Sequence, residues 1–374
     1  MTSCDTIHNG GGILITPTLD RSSKVVFALM LFVILNFSNS VLASQPPVIR
    51  SSGVITYTPV GTLRGIARYG LDVNPAWYHM NLEDFDSMTS TFPTMNFMVL
   101  PCAVPTLMPN AANGDYNAID DDNLQIIRDY VSWSKQKNIR ILISNYWEPN
   151  DMWTNPKRGQ AVKEYWQFLA SEFKGETTIA GFDLINEPWG ISGASETLVS
   201  MYEEIIDAIR EIDQTRTCYV QSYVEHHVGL GWVRTNPVKR DNIVCIHHLY
   251  SNKWTTGEWY TSHYTHPWSK YYLTHEYTKA NEVLIDGESP GLGLYQRFGF
   301  VKKELGLPVA ITEIAFLDTP EGLQYGKDVL DILNEWGINW AYHHWGTPAD
   351  RRMTLLKNDW KTLRNQAMVV KDEL

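Results

Sequence analysis

From Gly53 to the C-terminus the chain alternates two kinds of apolar pattern. Short, nearly unbroken apolar runs occur in "LRGIARYG", "TMNFMVLP", "IRILISNYW", "IAGFDLINE", "TCYVQSYV", "NIVCIHHLY", "LPVAITEIAF" and "INWAYHHWG". Their length and their flanking turn formers fit strands buried on both faces. Between them lie longer stretches, among them "DDDNLQIIRDYVSWSKQKN", "QAVKEYWQFLASEF", "ETLVSMYEEIIDAIREI" and "EGLQYGKDVLDILNEW", whose apolar residues recur at three- and four-residue spacing. That period predicts amphipathic helices. Asp120 with its acidic neighbours, and Ser195, supply helix starts, and "DWKTLRNQAMVVKDEL" reads as a last helix.

Eight strand patterns alternating with helices predict an α/β fold with a parallel sheet. The simplest closure is a single (β/α)8 TIM barrel. A doubly wound open sheet competes, but no Gly-rich phosphate loop follows the first run. Three long loops, 102–119, 146–158 and 251–279, follow strand patterns. In a barrel they rise from the C-terminal face, where such folds carry their chemistry, and wall a cleft there.

The first 43 residues differ from the rest. Arg21 and Lys24 precede the apolar run "VVFALMLFVIL", and a polar stretch leads to "SVLAS", with small residues suited to cleavage after Ala43. This is a signal-peptide pattern over residues 1–43, which implies secretion and leaves 44–374 as one domain. An uncleaved membrane anchor is the alternative, though the 11-residue run is short of the ~20 residues a bilayer span needs. The final "KDEL" would address a eukaryotic secretory protein to the endoplasmic reticulum. It also completes the last helical pattern, and no Asn-x-Ser/Thr site follows Asn36.

A net charge of -11, with Lys and Arg scattered along the chain, argues against nucleic acid or an anionic membrane surface as partner. Aromatic residues make up 12% of the chain, with 14 Trp, and many fall in the loop stretches. Trp147, Trp153, Trp189, Trp254 and Trp259 offer apolar ring faces that form a stacking surface or pack their loops down. Beyond the leader, Cys102, Cys218 and Cys245 are odd in number, lack a metal-binding spacing and adjoin apolar runs, so they read as buried thiols. The pairs His226-His227, His247-His248 and His343-His344 invite a metal. Adjacent strand residues point to opposite faces, however, so a strand pair cannot readily grip one ion, and neither metal nor cofactor is expected.

Candidate chemistry begins at "GFDLINEPWG", where Asn186 and Glu187 close an apolar run just before Pro188. Proline pushes the preceding residue toward an extended conformation and cannot continue a ladder, so the strand should end there. Glu313 in "LPVAITEIAF" similarly ends the seventh run. Two carboxylates at strand ends about 5 Å apart fit retaining glycoside hydrolysis, in which one attacks C1 and the other acts first as acid, then as base. Glu148, Asp151, Glu225 and Glu258 are further loop acids without a motif.

"INEP" ending the fourth run, "HHLY" the sixth, "ITE" the seventh and "HHWG" the eighth together resemble the clan A glycoside hydrolases, above all the family 5 cellulase-like enzymes, from about residue 60 onward. The resemblance implies Glu187 as acid/base, Glu313 as nucleophile and Asn186 on the sugar 2-hydroxyl. It implies that His248 and Tyr250 form the family's His-x-Tyr, with the tyrosine bonding the nucleophile, and that Trp345 floors the −1 subsite. Asn145 stands near the usual third-strand histidine, and Trp147, Trp189, Trp254 and Trp259 are candidate sugar platforms. The implied activity is that of a secreted monomer cutting a β-linked polysaccharide, cellulose-like β-1,4-glucan first and mannan or mixed-linkage glucan second. An exo-acting glycosidase and a non-catalytic carbohydrate-binding protein are the alternatives. Two departures stand out, and the first is the replacement of the usual third-strand histidine by something closer to Asn145. The second-strand arginine that usually holds the nucleophile ionised is Val99 here, and Arg64 or Arg68 is the expected substitute.

Overall fold

The structure is a computed structural model. It describes residues 62–68, 71, 81–147, 152–188, 194–221, 229–250, 284–285, 289–290, 294–346 and 353–374. The leader, the 251–279 loop, His226, His227, Glu148, Asp151, Glu225, Glu258, Trp189, Trp254 and Trp259 lie outside the described residues.

All eight short apolar runs form strands: β1 (Arg64–Ala67), β2 (Phe97–Pro101), β3 (Arg140–Ser144), β4 (Ile179–Asp183), β5 (Cys218–Gln221), β6 (Ile243–Tyr250), β7 (Val309–Ala315) and β8 (Asn339–His343). They pair in parallel in chain order, and β8 returns to β1 to close the barrel. Closure buries both faces of every strand, which is why the sequence shows continuous rather than alternating apolar runs. Leu63, Ala67, Phe97, Val99, Leu142, Ala180, Tyr219, Val244, Ile246, Ala310 and Ala341 fill the lumen as a cluster of their own. The space is tight. A Cβ on Gly181 would lie 2.5 Å from the Tyr219 ring, so only glycine fits beside that side chain.

The helices follow their predicted apolar faces. The helix Asp121–Gln136 buries Leu124, Ile127, Tyr130, Val131 and Ser134, and Asp120 caps it by accepting the Asn123 N–H at 2.9 Å. Pro156–Glu172 starts on Pro156 with Asn155 as cap, and its Trp166 stacks on Phe182 of β4 at 4.7 Å. Ala194–Arg210 and Pro320–Glu335 complete the predicted set. Cys102, Cys218 and Cys245 are buried free thiols, and burial pushes the Cys102 and Cys245 thiols up to about 12.

Two elements differ from the sequence reading. Leu82–Thr91 is a helix, capped by Asn81, that its Ser- and Thr-rich sequence hides. The last helix is shorter than its pattern and covers only Gln366–Glu373. Asp359 accepts the N–H groups of Lys361 and Thr362 and turns that stretch into a loop.

Candidate active site

The lumen becomes polar at its C-terminal end. Ser144 of β3, Asp183 of β4, Gln221 of β5, His248 and Tyr250 of β6, Thr312 and Glu313 of β7 and His343 of β8 are all buried there. Glu187 joins them from beyond β4, with its side chain 31% exposed. Its carboxylate, that of Glu313 and the His248 ring each offer an atom within 4.8 Å of the others.

Glu187 reaches this position by a local conformation that proline should disfavour. Strand β4 stops at Asp183, and Glu187 has φ +39°, in the left-handed region, rather than the extended backbone expected before Pro188. Such a conformation costs on the order of 1–3 kcal/mol and persists where neighbours over-determine it. Gln221 does so here. Its amide oxygen accepts the Glu187 N–H at 3.0 Å, and its nitrogen donates to Asn186 Oδ1 at 3.3 Å and to Asp183 Oδ2 at 3.0 Å. The Asn186 N–H donates to the Asn145 carbonyl at 3.0 Å. One buried amide thus fixes the adjacent Asn186 and Glu187.

Glu313 is held on both oxygens. The Tyr146 hydroxyl donates to Oε1 and the Tyr250 hydroxyl to Oε2. His248 Nδ1 lies 2.8 Å from Glu187 Oε1 and 3.6 Å from Glu313 Oε2, and its Nε2 meets the Thr312 hydroxyl at 3.1 Å. Burial alone would strip the His248 proton, but Glu313, Glu187 and Asp183 outweigh it and raise the ring's pKa to about 9. With His248 charged, the cluster of Glu187, His248 and Glu313 is arranged to share a proton between the ring and the two carboxylates. Beneath them, burial pushes Asp183 up to about 7, against the pull of Ser144 (2.5 Å), His248 and Gln221.

The histidine gives a pH prediction. Its folded pKa lies above the ordinary value, so its contribution to stability is complete below about 6.5 and is lost as pH rises through about 9. Denaturation midpoints should fall over that window in the native chain, and the part of the slope due to His248 should vanish in His248→Gln. An unchanged slope in the variant would show that the ring is neutral in the fold.

The structure brings Asn186, Glu187, His248, Tyr250 and Glu313 together and moves three expected site residues elsewhere. Trp345 is 1% exposed, donates its indole N–H to Asp84 at 2.9 Å and packs edge-on against Phe92. It lies under the first helix, and β8 instead ends on His343, whose Nδ1 is 3.5 Å from Glu313 Oε2. Asn145 is buried and spends its amide on the Trp147 N–H and the Leu184 carbonyl, so it braces the β3 and β4 turns. Trp147, 8% exposed and with Arg158 at 5.9 Å from its ring, packs its loop and offers no open face for a sugar.

The expected arginine substitutes are also placed. Arg64 opens β1, at the end of the strand away from the site. Arg68 ion-pairs with Asp84 at 3.2 Å and lies over the Trp360 ring. Residues missed in the sequence are Tyr146, Asp183 and Gln221. The last two carried a legible signal, since a buried polar side chain inside or ending an apolar strand demands partners. Tyr146 carried none, being one aromatic among many.

Of the described histidine pairs, His247-His248 behaves as alternation requires, whereas the rings of His343 and His344 meet edge to face at 4.8 Å. His247 faces the outer layer against Phe298, and His248 faces the lumen.

A closed parallel barrel with two juxtaposed carboxylates at its C-terminal mouth is the arrangement that retaining glycoside hydrolases use. Residues 62–348 match the cellulase family, glycosyl hydrolase family 5, and the chain belongs to that family. Its fold is shared with the endocellulase of Pyrococcus horikoshii, solved with cellotetraose (17% identity, TM-score 0.65, 86% of this chain and 94% of that one). The endoglucanase of Pseudomonas stutzeri in complex with cellobiose is similar (16% identity, TM-score 0.64, 88% and 95%). So is the catalytic domain of the major endoglucanase of Xanthomonas campestris pv. campestris (15% identity, TM-score 0.63, 88% and 98%). No curated protein sequence matches the chain.

Proposed function

We propose that this glycoside hydrolase is a secreted endo-β-1,4-glucanase working by double displacement. Glu313 attacks the anomeric carbon while Glu187 protonates the leaving oxygen. Glu187 then takes a proton from water, which attacks the same carbon and releases Glu313. The observation that carries this reading is the spacing of the two carboxylates. Atoms of both lie within 4.8 Å, near the about 5–5.5 Å of retaining enzymes and too close for the intervening water that inverting enzymes need.

The division of roles follows from burial and partners. Glu313 is buried and accepts from two phenols, one on each oxygen, which hold it in a fixed orientation for attack. Glu187 is the more exposed of the two, as befits a group that must exchange protons with water. Asn186 beside it is placed to meet the sugar 2-hydroxyl. The β-1,4-glucan preference is supported by the relatives solved with cellotetraose and cellobiose, and secretion by the leader pattern.

Hydrolysis of soluble β-1,4-glucan, mixed-linkage glucan and β-mannan by the chain from Ser44 onward tests the reading. A fast fall in viscosity with a ladder of β-1,4-gluco-oligosaccharides is expected. Monosaccharide alone indicates exo action, mannan cleavage alone changes the substrate, and binding without cleavage indicates a lectin-like protein.

A further inference from the structure

Val99 leaves the lumen without a cation on the second strand. It is 1% exposed and packs in the apolar lumen cluster with Ala67 and Leu142. A carboxylate as buried as Glu313 still requires donors, because an ionised group removed from water without them is costly. Two phenols supply them, one to each oxygen. Tyr250 comes from β6, the neighbour of β7, whereas Tyr146 crosses the mouth from the end of β3, which lies opposite β7 in the closed strand order.

Tyr146 also stands on a braced turn. The Asn145 N–H donates to the Asp183 carbonyl at 3.1 Å, its own carbonyl accepts the Asn186 N–H, and its side-chain oxygen accepts the Trp147 N–H. The next residue, Trp147, is buried. The same turn therefore fixes Tyr146 against Glu313 and Asn186 beside Glu187, so that the position of one carboxylate is tied to that of the other.

We propose that Tyr146 is a positioning residue for the nucleophile, supplying from the third strand the donor that the second strand lacks at Val99. This rests on the reading of Glu313 as nucleophile. A phenol on Oε1 and another on Oε2 leave the carboxylate one rotational setting, and in general a donor bonds an ionised acceptor more strongly than a neutral one. When one oxygen becomes the ester oxygen of the glycosyl-enzyme it loses its charge, and its phenol bond weakens. The bond recovers strength as the carboxylate departs, which favours that step. Unlike an arginine, a neutral phenol adds no net charge to a site where the His248 ring already lies 3.6 Å from Glu313.

The test is the pH–rate profile of Tyr146→Phe, which keeps the ring and removes only the hydroxyl. A drop in kcat/KM of roughly 10- to 100-fold is expected from the loss of one hydrogen bond to a charged group. The acidic limb should move up, because a charge-assisted donor to the carboxylate is lost, with KM little changed. 3-Fluorotyrosine at position 146, a more acidic and stronger donor of nearly the same shape, should move the limb down, which keeps the test decisive even where Tyr146→Phe does not fold. An acidic limb that stays in place in either variant overturns the proposal, whatever happens to the rate. Glu313→Gln is measured beside them. If it retains activity the reading of the nucleophile has failed, whereas a dead Glu313→Gln with an unmoved Tyr146→Phe profile overturns the role of Tyr146 alone.

Discussion

Glu313→Gln is expected to lower kcat on soluble β-1,4-glucan by at least about 10⁴-fold while the protein stays folded and still binds the polymer. The side chain keeps its shape. Its amide oxygen can accept from one phenol and its NH2 can donate to the other phenol's oxygen, so Tyr146 and Tyr250 both retain partners. What disappears is the nucleophile, and no other described carboxylate can replace it. Asp183 lies below in the lumen, engaged by Ser144 and Gln221. Glu187 lies on the His248 side, where the proposed double displacement uses it as acid. Retention of even a tenth of the native rate by this variant would remove Glu313 from the reaction.

Glu187→Ala should divide substrates by leaving group. On polymer, where the departing oxygen is a poor leaving group, a loss of about 10²–10⁴-fold is expected because both the acid and the base function are gone. On an aryl β-cellobioside with an acidic phenol as leaving group, the first step no longer needs a proton, so a burst of phenol followed by slow turnover is expected. Added azide, which needs no base to attack, should restore turnover. Equal losses on both substrates, with no burst, would show that Glu187 is not the proton donor. The backbone should tolerate this change, because Gln221 grips the position 187 N–H rather than the side chain.

The barrel was legible because burial on both faces writes each strand as an unbroken apolar run, and eight such runs separated by amphipathic stretches leave few other architectures. Glu187 and Glu313 were legible for the same reason, since charged residues stand out at the ends of apolar strands. The Leu82–Thr91 helix was not, because it buries only Phe85, Met88 and Thr89 and its start signal, Asn81 followed by Glu83 and Asp84, resembles a turn.

The residues just past the strand ends were the least readable. Alternation assigns faces only while the chain remains in the sheet, and a slip of one residue reverses them. Register shifts occur between β6 and β7 at His247 and His248, and between β7 and β8 at Trp340 and Tyr342. β8 ends at His343, so nothing in the pattern told that Trp345 turns toward Asp84 while His343 faces Glu313. Asn145 and Tyr146 pose the same problem at the end of β3. The neighbour that looked like a ligand braces the turn, and the one that looked like packing reaches Glu313. The missing arginine could be read from sequence, but its replacement could not, since Tyr146 meets Glu313 across 167 positions of chain.

The most direct test of the double-displacement account is capture of the intermediate. A 2-deoxy-2-fluoro-β-cellobioside with a good leaving group slows both steps by destabilising the oxocarbenium-like transition state, and the leaving group favours accumulation of the glycosyl-enzyme. Peptide mass spectrometry of the treated chain should find one added fluorocellobiosyl group, on Glu313. Hydrolysis of natural substrate without any label, or label carried by Glu187, would contradict the account.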